Sequence, residues 1–273
     1  MTKYAGRTLL LIWHMVYPLL IYQVLVELVF AGYSQVKGAV PAEMVLPLTA
    51  AGALLAVIPL GHSYYQLRET DRMEISADKS CRQLPVTASV FLWCTIAGAA
   101  ASLCFNNLLV LIPIQEERAG EALALLNSPA FFMQVICTVL ILPLTEELVF
   151  RGIGYWRLRK TLPFLWAVFF SAIYFGLYHG NFTQGIYACL LGVLLAFLFE
   201  WTSSLFAVWC FHGAANLISI IVNTMAWDRG IFEYTAVKMA IFTVSGSLLA
   251  VSFYKIREDG RKREITIHSN SLL

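Results

Sequence analysis

Charged residues are scarce in this 273-residue chain: Asp, Glu, Lys and Arg together make up 13% of it, against about 25% in an ordinary soluble domain. With 59% apolar residues and a mean hydropathy of +0.71, the chain carries more apolar surface than one core could hide from water. A conventional water-soluble enzyme is excluded, and lipid is the solvent that fits. The formal net charge is only +2, so the basic field that nucleic-acid binding requires is missing. CxxC pairs are missing too. The cysteines, Cys81, Cys94, Cys104, Cys137, Cys189 and Cys210, lie mostly inside apolar stretches and read as small core hydrophobes. The N-terminal MTKYAGRTLLLIWHM imitates a signal peptide, but its apolar run continues without a small-residue cleavage site, which predicts a retained membrane helix. Internal repeats and low-complexity tracts are absent.

What is present is a series of apolar stretches, at about 8–33, 43–65, 86–114, 129–150, 162–182, 185–200, 204–224 and 235–255, and a bilayer crossing needs about 20 residues. The expected fold is an all-α integral membrane protein of about eight transmembrane helices. The 185–200 stretch is the shortest and follows a tight connection from Asn181 to Gln184, so seven crossings or a re-entrant segment there is the alternative. Basic residues alternate between the connections. One side collects Lys3, Arg7, Arg68, Arg72, Lys79, Arg82, Arg151, Arg157, Arg159, Lys160, Lys255, Arg257, Arg261, Lys262 and Arg263; the other has only Lys37, Arg118 and Arg229. Lys and Arg are retained on the cytoplasmic side, so both termini are expected there. The 66–85 connection reads as a solvated cytoplasmic loop. The tail REDGRKREITIHSNSLL reads as a disordered basic end near anionic headgroups. We divide this single membrane domain into helices 1–3 (1–128), a core of helices 4–7 (129–224), and the last helix with its tail (225–273).

Ionisable side chains inside a span cost roughly 2.5–3.5 kcal/mol each on insertion scales, so those present need a partner, an aqueous cavity or a task. They are His14, Glu27, Glu146, Glu147, His179, His212 beside Asn216, and Lys238. Glu27 and Lys238 lie near span ends and can snorkel. In TEELVFR, Glu147 and Arg151 are spaced i,i+4 and can pair on one helical face, whereas Glu146 lies about 100° round the helix and is expected to stand apart from that pair, as a candidate base. Phe175 with His179, and His212 with Asn216, repeat the i,i+4 spacing. From a rise of 1.5 Å per residue, Glu146 lies about 21 Å, His179 about 25 Å and His212 about 12 Å from the cytoplasmic interface. Tilt, or a kink near Gly176 or Gly180, is needed to bring them level.

Glu146-Glu147-x-x-x-Arg151, Phe175-x-x-x-His179 and His212-x-x-x-Asn216, in this order on three apolar helices, resemble the CAAX protease and bacteriocin-processing (Abi) family, which includes the type II CAAX prenyl endopeptidases. The resemblance covers about residues 129–224. It implies an intramembrane endopeptidase acting on a membrane-associated peptide or protein, in the cell membrane, with a cavity open to the cytoplasm. It also implies that Glu146 and His179 activate the attacking water, that His212 and Asn216 stabilise the oxyanion, that Glu147 and Arg151 are structural, and that Phe175 shapes the cavity.

Elementary chemistry agrees with that division of labour. Amide hydrolysis needs a base for water and a donor for the tetrahedral oxyanion, and a side-chain amide such as that of Asn216 donates without charging. No cofactor is the favoured reading. The alternative is zinc held by Glu146, His179 and His212, a His2Glu set with a position left for water, although HExxH is lacking. A non-catalytic scaffold or immunity protein is a second alternative, against which the complete motif set speaks. A transporter or proton relay is a third, disfavoured by the lack of an inverted repeat.

Overall fold

The structure, a computed structural model, describes residues 2–76, 86–109, 129–224 and 234–271, and side chains at 9–70, 86–109, 129–224 and 234–263. Within them every regular element is helical. The helices are α1 (Thr2–Lys37), α2 (Ala42–Ser76), α3 (Ala88–Leu109), α4 (Phe131–Thr161), α5 (Phe164–Tyr178), α6 (Phe182–Thr202), α7 (Leu205–Thr224) and α8 (Thr235–Ser271). All but α5 include a stretch long and apolar enough to cross a membrane, as expected of a backbone that must satisfy its own hydrogen bonds in hydrocarbon.

The short helix is α5, with 15 residues, and not the 185–200 stretch. The reason lies in the connection. Gly180 adopts φ +73°, a left-handed conformation that favours glycine and ends α5. Asn181 then accepts a hydrogen bond from Gln184 N at 2.8 Å through its side chain, and another from Gly185 N at 2.8 Å through its carbonyl. Residues 182–184 therefore open α6, which runs 21 residues and is long enough to span.

α4 departs from regular winding twice, in π-helical turns at Ile136–Ile141 and Leu148–Tyr155. Pro143 has no N–H to give the carbonyl of Val139, and a local shift to i→i+5 pairing passes that acceptor to the next donor; Leu142 N already bonds to Cys137 O in this way. The second π turn contains Gly152 and Gly154. Because α4 continues to Thr161, Arg151 is a buried helical residue and no marker of sidedness; the basic imbalance keeps its direction without it.

The chain divides into two compact units, residues 1–64 with 114–196, and residues 65–113 with 197–273. In the first, Tyr174 donates its hydroxyl proton to Met15 O at 2.6 Å and the Tyr22 and Tyr178 rings lie 6.1 Å apart, so α1 and α5 run parallel. Thr145 donates to Ala53 O at 3.0 Å, and Leu46 and Ala50 pack with Cys137, Ile141 and Leu142, so α2 and α4 run parallel. Gly176 meets Gly185 while Ala172 meets Gly192, so α5 and α6 run antiparallel. In the second unit, Gly98 meets Phe211 while Ser102 and Asn106 reach Ser219, which makes α3 and α7 parallel. Thr87 donates to Asp259 at 2.9 Å and Cys104 lies beside Ser245, which makes α3 and α8 antiparallel. Each direction is the one that eight alternating crossings require, with α5 counted as a crossing.

Two sequence expectations change. α2 extends the first part of the 66–85 connection as helix to Ser76; residues 77–85, with Lys79, Cys81 and Arg82, and likewise Arg118 and Arg229, lie outside the described residues. The basic tail is helical to Ser271. Its charges alternate at helical spacing, with Lys262 on Glu258 at 2.8 Å and Arg263 on Asp259 at 2.8 Å, pairs that support a helix already nucleated by the span.

A Cβ at Gly98 would run into Phe211 O, and one at Gly176 would stand 2.7 Å from Gly185 O. Gly98→Ala and Gly176→Ala therefore each force helix backbones apart, and we expect a loss of roughly 1–3 kcal/mol, the scale of overpacking. Thermal unfolding in detergent checks this, with Gly61→Ala, whose added methyl meets nothing within 4 Å, as the neutral control.

Candidate active site

Glu147 and Arg151 form the expected pair: Arg151 Nη1 donates to Glu147 Oε1 at 2.9 Å, with side chains 0% and 1% exposed. Taking two charges out of water is expensive unless geometry and further contacts compensate. Here the guanidinium also lies over the Phe175 ring, 4.2 Å from its centroid, a cation–π contact of full strength only when desolvated. This accounts for a side chain whose Nε and Nη2 find no hydrogen-bond acceptor among the described residues.

Glu146 is buried, at 8% exposure, and takes no part in the 2.9 Å contact that joins Glu147 to Arg151. Arg151 interacts electrostatically with Glu147 and, more weakly, with Glu146. Arg151 lies within the π turn Leu148–Tyr155. The same turn advances less per residue than an α-helix, so Glu146 lies shallower than the rise of 1.5 Å gave.

Phe175 and His179 share a face as the spacing predicted. The ring of Phe175 meets that of His179 edge-on at 4.8 Å, which makes it a spacer between the Arg151 guanidinium and the imidazole. His179 caps the C-terminus of α5. Its Nδ1 lies 2.8 Å from Phe175 O, and because a carbonyl only accepts, Nδ1 is the donor. The neutral ring must then present Nε2 as its acceptor. Asn181 N donates to His179 O at 2.9 Å, holding the residue at the turn.

Two tyrosines that the sequence reading did not single out join this group. Tyr22 of α1 is 1% exposed. Tyr178 stands beside His179, with ring centroids 5.4 Å apart. Their ring centroids lie 6.1 Å apart, and Glu146 is near enough to both phenols to act on them electrostatically. No spacing rule marks Tyr22; the only signal for Tyr178 is its adjacency to His179.

His212 and Asn216 belong to the second unit, on α7. Ser204 starts that helix, accepting from Ala207 N at 3.2 Å, as N-cap serines do. His212 is 3% exposed and Phe211 fully buried. His212, Asn216 and Ser219 fall at i, i+4 and i+7, one face of the helix. Ser219 meets Ser102 at 3.0 Å, and Asn106 Nδ2 reaches Ser102 Oγ at 3.2 Å and Ser219 Oγ at 3.5 Å, a polar contact between α3 and α7 one turn beyond Asn216. Glu27 is exposed and Lys238 half-buried, as expected of snorkelling residues, and His14 bonds Leu10 O at 2.6 Å. Among the described residues no three His, Cys, Asp or Glu side chains gather closely enough to hold a metal ion.

Residues 128–218, a third of the 273-residue chain, match the family described as Rce1-like, type II CAAX prenyl endopeptidase Rce1-like. The segment contains all three motifs and bears out the resemblance to the CAAX protease family. Comparison with curated proteins and with solved structures gives no match. The family match and the apolar helices together support an intramembrane CAAX-type protease in a multi-pass membrane protein.

The Glu147–Arg151 pair makes a testable demand. Arg151→Ala leaves a buried carboxylate uncompensated and is expected to cost about 3–5 kcal/mol, seen as reduced folded yield and a lowered melting temperature. Glu147→Gln combined with Arg151→Met removes both charges and should recover most of that loss; a double variant no better than Arg151→Ala would dismiss the pair as the cause.

Proposed function

We propose, from the match of residues 128–218 to the type II CAAX prenyl endopeptidases, that this chain hydrolyses a peptide bond of a membrane-associated protein or peptide, with Glu146 and His179 activating water and His212 and Asn216 stabilising the oxyanion. The observation that carries the reading is the fixed tautomer of His179: with Nδ1 committed to Phe175 O, the ring offers Nε2 as a proton acceptor. Shielding from bulk water strengthens each electrostatic contact in such a site.

In the reaction, Glu146 with His179 takes a proton from water as its oxygen bonds to the scissile carbonyl carbon. The carbonyl oxygen becomes an anion that His212 and the Asn216 amide stabilise through hydrogen bonds. Collapse breaks the C–N bond, and the proton first taken from water passes to the leaving amine. Glu147 and Arg151 hold the helix turn that presents Glu146, and Phe175 orients the imidazole. The substrate class is a membrane-tethered peptide, either a CAAX-type C-terminus or a bacterial peptide awaiting maturation, and entry is from the cytoplasmic side of the cell membrane.

The metal-dependent version of the same reaction shares the supporting observation, because a metal-bound histidine also donates its other ring N–H to a carbonyl. Cleavage of a membrane-tethered peptide library by purified protein separates the two. We expect Glu146→Gln and His179→Ala each to lower the rate at least about 100-fold, the scale of general base catalysis, with a strong chelator leaving the wild type unchanged. Loss of activity to chelator and recovery with zinc would reassign Glu146, His179 and His212 as ligands. Full activity in Glu146→Gln would end both versions.

A further inference from the structure

We propose that Asn181 and Gln184, in the turn that joins α5 to α6, are positioning residues that hold His179 in the tautomer and orientation its proton transfer needs. This rests on His179 having the hydrolytic role assigned above. Each polar atom of Asn181 is engaged inside the turn. Its backbone N–H donates to His179 O at 2.9 Å, and its carbonyl accepts from Gly185 N at 2.8 Å. Its side-chain Oδ1 accepts from Gln184 N at 2.8 Å, while its Nδ2 donates to Gln184 Oε1 at 2.9 Å. An ordinary helix cap needs only the bond from side-chain oxygen to backbone N–H. Here the residue at the start of α6 and the one three places on are bracketed to each other twice, as in a capping box, and the backbone N–H that a capping box would spend on the second side chain goes to His179 instead.

The bracket bears on His179 because no further helix turn follows it. His179 is the last cap of α5, and Gly180 comes next at φ +73°, a residue that changes conformation at little steric cost. The peptide at His179 is therefore held from both sides. Before it, His179 N donates to Gly176 O at 3.2 Å, and Gly176 is pinned by the close crossing of α5 and α6, where an added Cβ would stand 2.7 Å from Gly185 O. After it, Asn181 N holds His179 O. With the backbone fixed in this way, Nδ1 reaches Phe175 O at 2.8 Å and the imidazole meets the Phe175 ring edge-on. A slack turn lets the ring leave that carbonyl. The proton can then sit on Nε2, where it blocks the acceptor that the reaction uses.

The test uses Asn181→Ala, which deletes both side-chain bonds, Gln184→Ala, which deletes one, and Asn181→Asp, which caps a helix as well as Asn and takes both bonds once the Gln184 amide turns its NH2 towards it. The first readout needs no substrate: the nitrogen-15 spectrum of histidine-labelled protein in detergent at alkaline pH, where a neutral ring shows which nitrogen carries its proton. His179→Gln identifies the His179 signals by removing them. We expect the proton on Nδ1 in the wild type, a mixture of both tautomers in Asn181→Ala, a smaller admixture in Gln184→Ala, and the wild-type pattern in Asn181→Asp. A His179 signal unchanged in both alanine variants overturns the proposal even where their melting temperatures fall, and a mixture that persists in Asn181→Asp overturns the role of the bracket. Should Asn181→Ala fail to fold, Gln184→Ala decides alone. The second readout is kinetic. Asn181→Ala should lose about tenfold in kcat, the scale of a misplaced group, with KM within about twofold, the signature of an interaction used in the transition state; a change confined to KM overturns the positioning role. A wild type that cleaves nothing while the tautomer shifts as expected retires the protease reading and keeps the positioning, so the two failures are distinct.

Discussion

The first unit is organised around one buried ion pair. Glu147 and Arg151, both nearly inaccessible to solvent, could not be tolerated in hydrocarbon as separate charges, and each further feature of the site can be traced to accommodating them. The arginine lies in the π turn at Leu148–Tyr155 and reaches back to the Glu147 carboxylate. The arginine then needs a cover for the rest of its guanidinium, and Phe175 supplies it. Phe175 in turn presents its edge to His179 and its backbone carbonyl to the imidazole Nδ1. A structural charge pair on α4 is in this way coupled, through one aromatic ring, to the protonation geometry of a histidine on α5.

Much of this architecture could be read from the sequence because the relevant signals are long or local. Apolar stretches near bilayer length announce the helices, and i,i+4 spacings announce Glu147 with Arg151 and Phe175 with His179. What escaped depends on subtler backbone events. The π turns leave no mark on apolar periodicity in a helix apolar on nearly every face. The division between α5 and α6 turns on the left-handed backbone of Gly180 and the cap at Asn181, and moving the boundary by a few residues changes which helix is short. Counting Arg151 with the loop cations overlooked that a charge can be paid for inside the membrane by a partner one turn away.

Tyr22 and Tyr178 escaped for a different reason. With 12 tyrosines and 18 phenylalanines in the chain, an aromatic residue carries little information until its neighbours are known. What distinguishes these two is tertiary: the parallel course of α1 and α5, fixed by Tyr174 on Met15, sets a residue from the start of the chain beside one from its middle. The second unit shows a similar dependence on a close approach, since the polar contact of Ser102, Asn106 and Ser219 forms only because α3 offers a glycine where α7 presses its backbone.

The short helix has a consequence for the surrounding lipid. At 15 residues, α5 covers about 22 Å, whereas the hydrocarbon layer is about 30 Å thick. Leu165, Trp166, Phe169, Phe170 and Leu177 on this helix are exposed, so lipid must adapt to it by thinning along that flank. His179 sits at the end of this shortened crossing, and the water surface is correspondingly nearer to it than to the middle of a full-length span. Bilayer thickness thus becomes a physical variable of the chemistry: a thick, sterol-rich or long-chain membrane bends further to meet α5 than a thin one, and the energy of that deformation is felt directly at the turn that carries the imidazole.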